Sequence, residues 1–239
     1  LEAVLDRLPL AIALNGAFAL VAYLLGTVRP GGAVAGVVLG ASVLAFAGWG
    51  AFILLGAFFV LGSAATRWGW SVKEKRGVAE THRGARGVTQ VMANGAPAAA
   101  LAVAYGAAGE PAVLMLGYAG ALATASADTA SSEIGQVYGT RPVSLPGFKA
   151  VPIGTPGAIS AAGTAGGAAA ALVIGLAAAA VAVLPLSAVP VVTVCALLGG
   201  FVESLLAGAL RGSYGHHILN LLNTCVGAGA SMALWSALF

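Results

Sequence analysis

Apolar stretches of bilayer length recur along the chain, over residues 8 to 26, 32 to 48, 49 to 66, 90 to 109, 111 to 127, 158 to 184, 187 to 208 and 216 to 238. Each is near the length a helix needs to cross about 30 Å of hydrocarbon. The stretches are continuously apolar and rich in Ala, Leu and Gly, without the alternation that strands of a membrane barrel require. Backbone amides facing lipid must be satisfied within their own segment, so the pattern predicts an all-α, polytopic integral membrane bundle. About eight transmembrane helices are expected, seven if two merge, some of them short or broken. The weakest division lies in residues 31 to 66, which carry no charge and hold only Gly48-Trp49-Gly50 as a turn signal. One helix of that length would extend roughly 54 Å at about 1.5 Å per residue, too long for a single crossing, and it is therefore split there.

Composition agrees. Of 239 residues, 59% are hydrophobic and 8% charged, with a mean hydropathy of +0.96, against roughly a quarter charged in soluble domains. An ordinary soluble enzyme is excluded. The reading is a single transmembrane domain over residues 1 to 239, with a basic loop at 67 to 89 and a second loop at 134 to 157 on the same side. The first apolar run reads as a retained span, since no charged leader with a cleavage site precedes it. Cys195 and Cys225 both fall in apolar runs, where a thiol acts as a small hydrophobe.

Charge fixes the orientation. With the loop after the third span cytoplasmic, ten of the eleven Lys and Arg residues collect on that side: Arg29, Arg67, Lys73, Lys75, Arg76, Arg83, Arg86, Arg141, Lys149 and Arg211. Only Arg7 remains outside, as the positive-inside rule requires. An even number of spans puts both termini outside. In a bacterium this describes an inner-membrane protein whose working face is cytoplasmic.

The polar side chains inside the spans gather toward that face. Gln90 and Asn94 are four apart at the start of the fourth span, and His216, Asn220, Asn223 and Thr224 recur at three- and four-residue intervals in the eighth. The fifth span ends in Asp128-Thr129-Ala130-Ser131-Ser132-Glu133-Ile134-Gly135. A carboxylate there costs about 2.5 to 3.5 kcal/mol on insertion scales, so Asp128 and Glu133 call for a cation or another partner. On a regular helix the two acids point roughly 140° apart, so both can hold one ion only if the helix unwinds. The hydroxyl residues and Gly135 suggest such a frayed end; an acidic helix end paired with nearby Arg is the alternative. Glu203-Ser204 repeats the acid–hydroxyl pair of Asp128-Thr129, and each pair precedes a Tyr-Gly, at Tyr138 and Tyr214. The repeat suggests two acids facing one another across the bundle. Glu203 would then add a third hard oxygen ligand suited to Mg²⁺.

In the basic loop, Lys73, Lys75, Arg76, Arg83 and Arg86 are interspersed with glycines. Lys and Arg beside exposed amides suit phosphate, although cytoplasmic loops are basic for topological reasons as well. Thr155 and Pro156 stand where an N-cap and first helical residue of the sixth span belong. Ser160, Gly163 and Thr164 would let either a phosphate or a neighbouring helix approach closely. His216 and His217 lack the partners of a zinc site.

At Asp128-Thr129-Ala130-Ser131-Ser132-Glu133-Ile134-Gly135 the chain resembles a polytopic membrane family catalogued as domain of unknown function 92, which includes the phytyl-phosphate kinases of tocopherol synthesis. Supporting matches lie at Lys75 to Glu80, Arg86 to Gly95, Gly154 to Gly163 and Asn220 to Thr224, so the likeness covers nearly the whole chain. Glu203 stands where the family more often has Asp, and Pro156 where an acidic residue is common. The resemblance implies phosphoryl transfer from a nucleoside triphosphate, such as CTP, to an isoprenoid monophosphate such as phytyl phosphate, giving the diphosphate. It implies Asp128, Glu133, Lys75 and Arg86 as catalytic residues, and Asp128, Glu133 and Glu203 as Mg²⁺ ligands. Phosphate and nucleotide contacts are expected from Lys73, Arg76, Arg83, Gln90, Asn94, Thr129, Ser132, Arg141, Thr155, Ser160, Ser204, Asn220 and Asn223. A lipid-alcohol kinase or a cytidylyltransferase would use the same groups, and glycine-broken helices also suit a small-molecule transporter. No nucleic acid partner is expected.

Overall fold

The computed structural model describes residues 2–210 and 215–238, so Arg211 and Tyr214 lie outside the described residues. Helix α1 (Glu2–Leu24) leads into α2 (Pro30–Arg67), the short α3 (Trp70–Lys75), α4 (Val88–Ala107) and α5 (Ala112–Tyr138). Three two-residue strands follow: β1 (Val143–Ser144), β2 (Lys149–Ala150) and β3 (Ala158–Ile159). The chain ends in α6 (Ala161–Ala180), α7 (Val189–Leu210) and α8 (His216–Leu238). Helices α1, α2, α6, α7 and α8 are long and apolar enough to cross a membrane by length and composition.

The long second helix is two antiparallel arms. Gly48 leaves the helical region at φ 77° and ψ −168°, a backbone that glycine adopts without a Cβ penalty, and the chain reverses there. Both far ends return to the same residue, since Gly32 abuts the Arg86 backbone and Gly62 the Arg86 guanidinium. The tip lies at the opposite end, where Gly48 is near Arg7 and Gly50 near Val181. With both arms counted and α4 and α5 added, eight long helical segments among the described residues fall where the hydropathy pattern predicts spans.

Helix α5 is the axis. It packs against both neighbours in sequence and against α2, α7 and α8. Tyr118, Ala119, Ala121, Leu122 and Ala123 are fully buried in a core that also takes Val43, Leu54, Ala98, Ile174 and Val192 from the surrounding helices. Small residues permit the close approach. A Cβ on Gly199 would stand 2.7 Å from Thr124 Cγ2 and 2.8 Å from the Asn223 carbonyl, so α5, α7 and α8 meet nearly backbone to backbone. Helix α1 is peripheral, with Ala11 against Ala41 and Leu44 of α2. Leu24, Val34, Val60, Val194 and Leu205 are exposed around the perimeter, as lipid-facing residues are. Cys195 is buried, whereas Cys225 lies on the outer surface.

At the end of the bundle opposite the Gly48 tip, the strands form a small sheet in the order β2-β1-β3, with Val143 facing both Ala150 and Ile159. The sheet occupies part of the segment expected to be loop, and it displaces the expected start of the sixth span. Thr155 is no helix cap. Its hydroxyl donates to the Pro152 carbonyl at 2.8 Å within a turn, and Gly157 takes φ +73°, redirecting the chain into β3. Ser160 caps α6 instead, its Oγ accepting from the Gly163 amide at 3.1 Å.

Candidate functional site

A cavity of about 330 Å³ opens at that same end, between α4, α5, α7, α8 and the segment leading into α6. Along α5 its wall runs Asp128, Thr129, Ser131, Ser132, Glu133 and Gln136. Glu203 and Ser204 approach from α7, His216 and Asn220 from α8, and Gln90 and Asn94 from α4; Thr155 and Ser160 close the mouth. The helical spacing noted in the sequence accounts for this convergence. Gln90/Asn94 and His216/Asn220 are pairs four residues apart, so each helix presents both members to one side.

The acid–hydroxyl pairs of α5 and α7 line the same cavity. Asp128 and Glu203 are close enough for each carboxylate to feel the other's charge. His216 of α8 lines the cavity with them. Asn223 is buried just behind the wall, and Thr224 donates to the Asn220 carbonyl at 2.6 Å, turning the α8 stripe inward. Across the cavity, the Asn220 amide donates to Asn94 Oδ1 at 3.2 Å, joining α8 to α4.

Glu133 takes another course. Helix α5 stays regular through Tyr138 without the unwinding considered for Asp128 to Gly135, so the two acids point apart. The Glu133 carboxylate accepts from Lys73 Nζ at 2.5 Å, while the same ammonium donates to the Thr66 carbonyl at 2.5 Å and lies over the Trp70 ring. Among the described residues, no three His, Cys, Asp or Glu side chains are grouped to hold a metal ion. The expected trio of Asp128, Glu133 and Glu203 thus lines one cavity, with Glu133 ion-paired to Lys73.

The expected phosphate cations are also elsewhere. Among the described residues no Lys or Arg lines the cavity, whereas Glu80, Asp128, Glu133 and Glu203 do. Lys75 and Arg83 are exposed outside it. Arg76 donates to the Gln136 carbonyl at 2.7 Å, capping the end of α5, where a cation meets the negative end of the helix dipole. Arg86 is buried against α2, donating to Ser63 Oγ at 2.8 Å and lying over Phe59. Burial pulls the Arg86 pKa below its ordinary value, against the opposing charges of Glu80 and Glu133. Arg141 stands at a shallower recess beside α6. Sequence reasoning missed Glu80 and Gln136. Gln136 falls on the Asp128-Ser132 face at four-residue spacing and was within reach of the periodicity, whereas Glu80 arrives from a turn that no periodicity governs.

The two opposed carboxylates fit a hard divalent cation, which takes one or two acidic oxygens and leaves other positions to phosphate and water. Such an ion, when bound, would neutralise phosphate charge and orient phosphate oxygens.

Comparison with known proteins places the chain. Residues 13–224 match the family model described as "Integral membrane protein DUF92". An uncharacterized membrane protein of Synechocystis sp. is 32% identical over 202 residues, covering 82% of this chain and 78% of that protein. The chloroplastic protein VTE6 of Arabidopsis thaliana is 30% identical over 188 residues, covering 74% of this chain and 56% of that protein. An uncharacterized membrane protein of Methanocaldococcus jannaschii is 30% identical over 218 residues, covering 87% and 85%. No solved structure matches. With its helical, polytopic build and a family match over most of its length, the chain belongs to the DUF92 family of integral membrane proteins.

Proposed function

We propose that this protein is a membrane phosphotransferase that passes a phosphoryl group from a nucleoside triphosphate to an isoprenoid monophosphate, giving the diphosphate. The carrying observation is the opposition of Asp128 and Glu203 across a polar cavity at one end of an otherwise apolar bundle. Family membership and the Asp-Thr-x-x-Ser-Glu-Ile-Gly motif, which resembles that of phytyl-phosphate kinases, point the same way.

The chemistry asks little of the side chains. A monophosphate acceptor has a second pKa near 6 and is largely dianionic at neutral pH, so it attacks without a general base. Catalysis is then positioning and charge neutralisation. Asp128 and Glu203 would hold Mg²⁺. Gln90, Thr129, Ser132, Ser160 and Ser204 offer hydrogen bonds to phosphate oxygens and ribose. Since the wall carries carboxylates and no Lys or Arg among the described residues, a cation bound there would supply the charge that phosphates need. The apolar tail lies among the lipid-facing helices while its head reaches the cavity from the membrane boundary. The cationic loops put that boundary on the cytoplasmic side.

The test is label transfer. Purified protein in lipid nanodiscs, given γ-labelled ATP or CTP and Mg²⁺, should label phytyl monophosphate and leave phytol unlabelled. Label on the alcohol alone would replace the acceptor, with Asp128 as its base. No label in any lipid would refute phosphotransfer.

A further inference from the structure

Three features of the cavity suit a bound cation. First, the Asp128 and Glu203 carboxylates repel one another across a space that no Lys or Arg among the described residues lines. Second, Asn220 lines the same cavity yet is 4% exposed, and its Oδ1 is buried without a hydrogen-bond partner. Third, Asn220 follows His216 by one turn on the same face of α8, and both line the cavity with Asp128. The carboxamide and the acid therefore share one cavity. Buried carbonyl oxygens nearly always have a donor, and a carboxylate offers none. A hard cation satisfies all three groups at once, because amide and carboxylate oxygens are its usual ligands.

We infer that the third protein ligand of a divalent cation here is the carboxamide oxygen of Asn220, beside Asp128 and Glu203, and that Glu133 is not a ligand. Asn94 is the positioning residue. By accepting from the Asn220 amide nitrogen at 3.2 Å, it fixes which way the carboxamide is turned and leaves the oxygen for the ion. Glu133 is already neutralised by Lys73. The inference rests on reading the cavity as a phosphotransfer site, and it assigns that site's metal to a mixed carboxylate–carboxamide set that spans α5, α7 and α8.

Direct Mn²⁺ binding tests it without nucleotide, lipid or turnover. Purified protein in detergent is titrated with Mn²⁺ and free ion is followed by electron paramagnetic resonance, with Mg²⁺ as competitor. One Mg²⁺-displaceable site is expected, lost in Asp128→Asn and Glu203→Gln. Asn220→Ala should weaken it at least about tenfold and Asn94→Ala about 10- to 100-fold, the range for residues that orient metal ligands. Asn220→Asp should retain it, so a folding defect in the alanine variant would not imitate the result. Glu133→Gln should bind as wild type. Absence of Mn²⁺ binding in the wild type, wild-type affinity in folded Asn220→Ala, or loss of binding in folded Glu133→Gln would overturn the assignment. Asn220-dependent binding in a protein that labels no lipid supports the cation site and refutes the phosphotransfer reading. Label transfer with Mn²⁺ affinity indifferent to Asn220 does the reverse.

Discussion

Lys73 Nζ sits 2.5 Å from the Glu133 carboxylate, with both side chains almost completely buried, and the pair ties the short helix α3 to the central helix α5. Without it, the polar link between the end of the α2 hairpin and the cavity wall would be lost, since the same ammonium also holds the Thr66 carbonyl. Two residues that sequence reasoning assigns to phosphate and metal thus neutralise each other.

Breaking that pair from one side should be costly. Lys73→Met leaves Glu133 buried and uncompensated and should destabilise by about 3–5 kcal/mol. The double variant Lys73→Met/Glu133→Gln should recover much of the loss. Thermal unfolding in detergent decides the matter, and an unchanged midpoint in Lys73→Met would show that the ammonium is not needed for stability.

Asp128→Asn should still insert and fold, because it removes charge without removing volume. It should lower label transfer at least about 100-fold, the scale on which electrostatic stabilisers of a transition state act. Transfer at the wild-type rate would take Asp128 out of the mechanism.

The basic residues beyond the cavity should behave as surface and capping groups. Lys75→Ala and Arg83→Ala, both exposed, should stay within about 0.5 kcal/mol of wild type with unchanged KM for the nucleotide. Arg76→Ala removes the cap on α5 and should cost about 0.3–1 kcal/mol, again at constant KM. A rise in KM confined to these variants would show that the loop reaches the phosphates during turnover.

Gly199→Ala should disturb the site from behind. Its new methyl would meet Thr124 and the Asn223 carbonyl, and overpacking of this kind costs about 1–3 kcal/mol. Because Asn223 is buried on α8 one turn from the cavity-lining Asn220, label transfer should fall with stability. Gly229→Ala, on α8 with nothing within 4 Å of the new carbon, is the control and should be neutral or slightly stabilising.

Much of this was legible from local pattern. Hydropathy gave the eight spans, including the break that Gly48 makes, because the need to satisfy backbone amides in lipid acts segment by segment. Helical spacing brought Gln90 with Asn94 and His216 with Asn220, and the acid–hydroxyl repeat picked out Asp128 and Glu203, which line one cavity. Even the parting of Asp128 and Glu133 was implicit in the rotation of a regular helix; what the sequence did not reveal was that the helix would remain regular.

What the chain alone determined is which segments enter the membrane, which end collects the cations and which helical faces are polar, since each follows from residues a few positions apart. Tertiary structure alone decided who partners whom. Lys73 meets Glu133 across 60 positions and Asn220 meets Asn94 across 126. Such pairings depend on how whole helices pack, and side chains of one charge or hydrogen-bonding type are interchangeable until that packing selects among them.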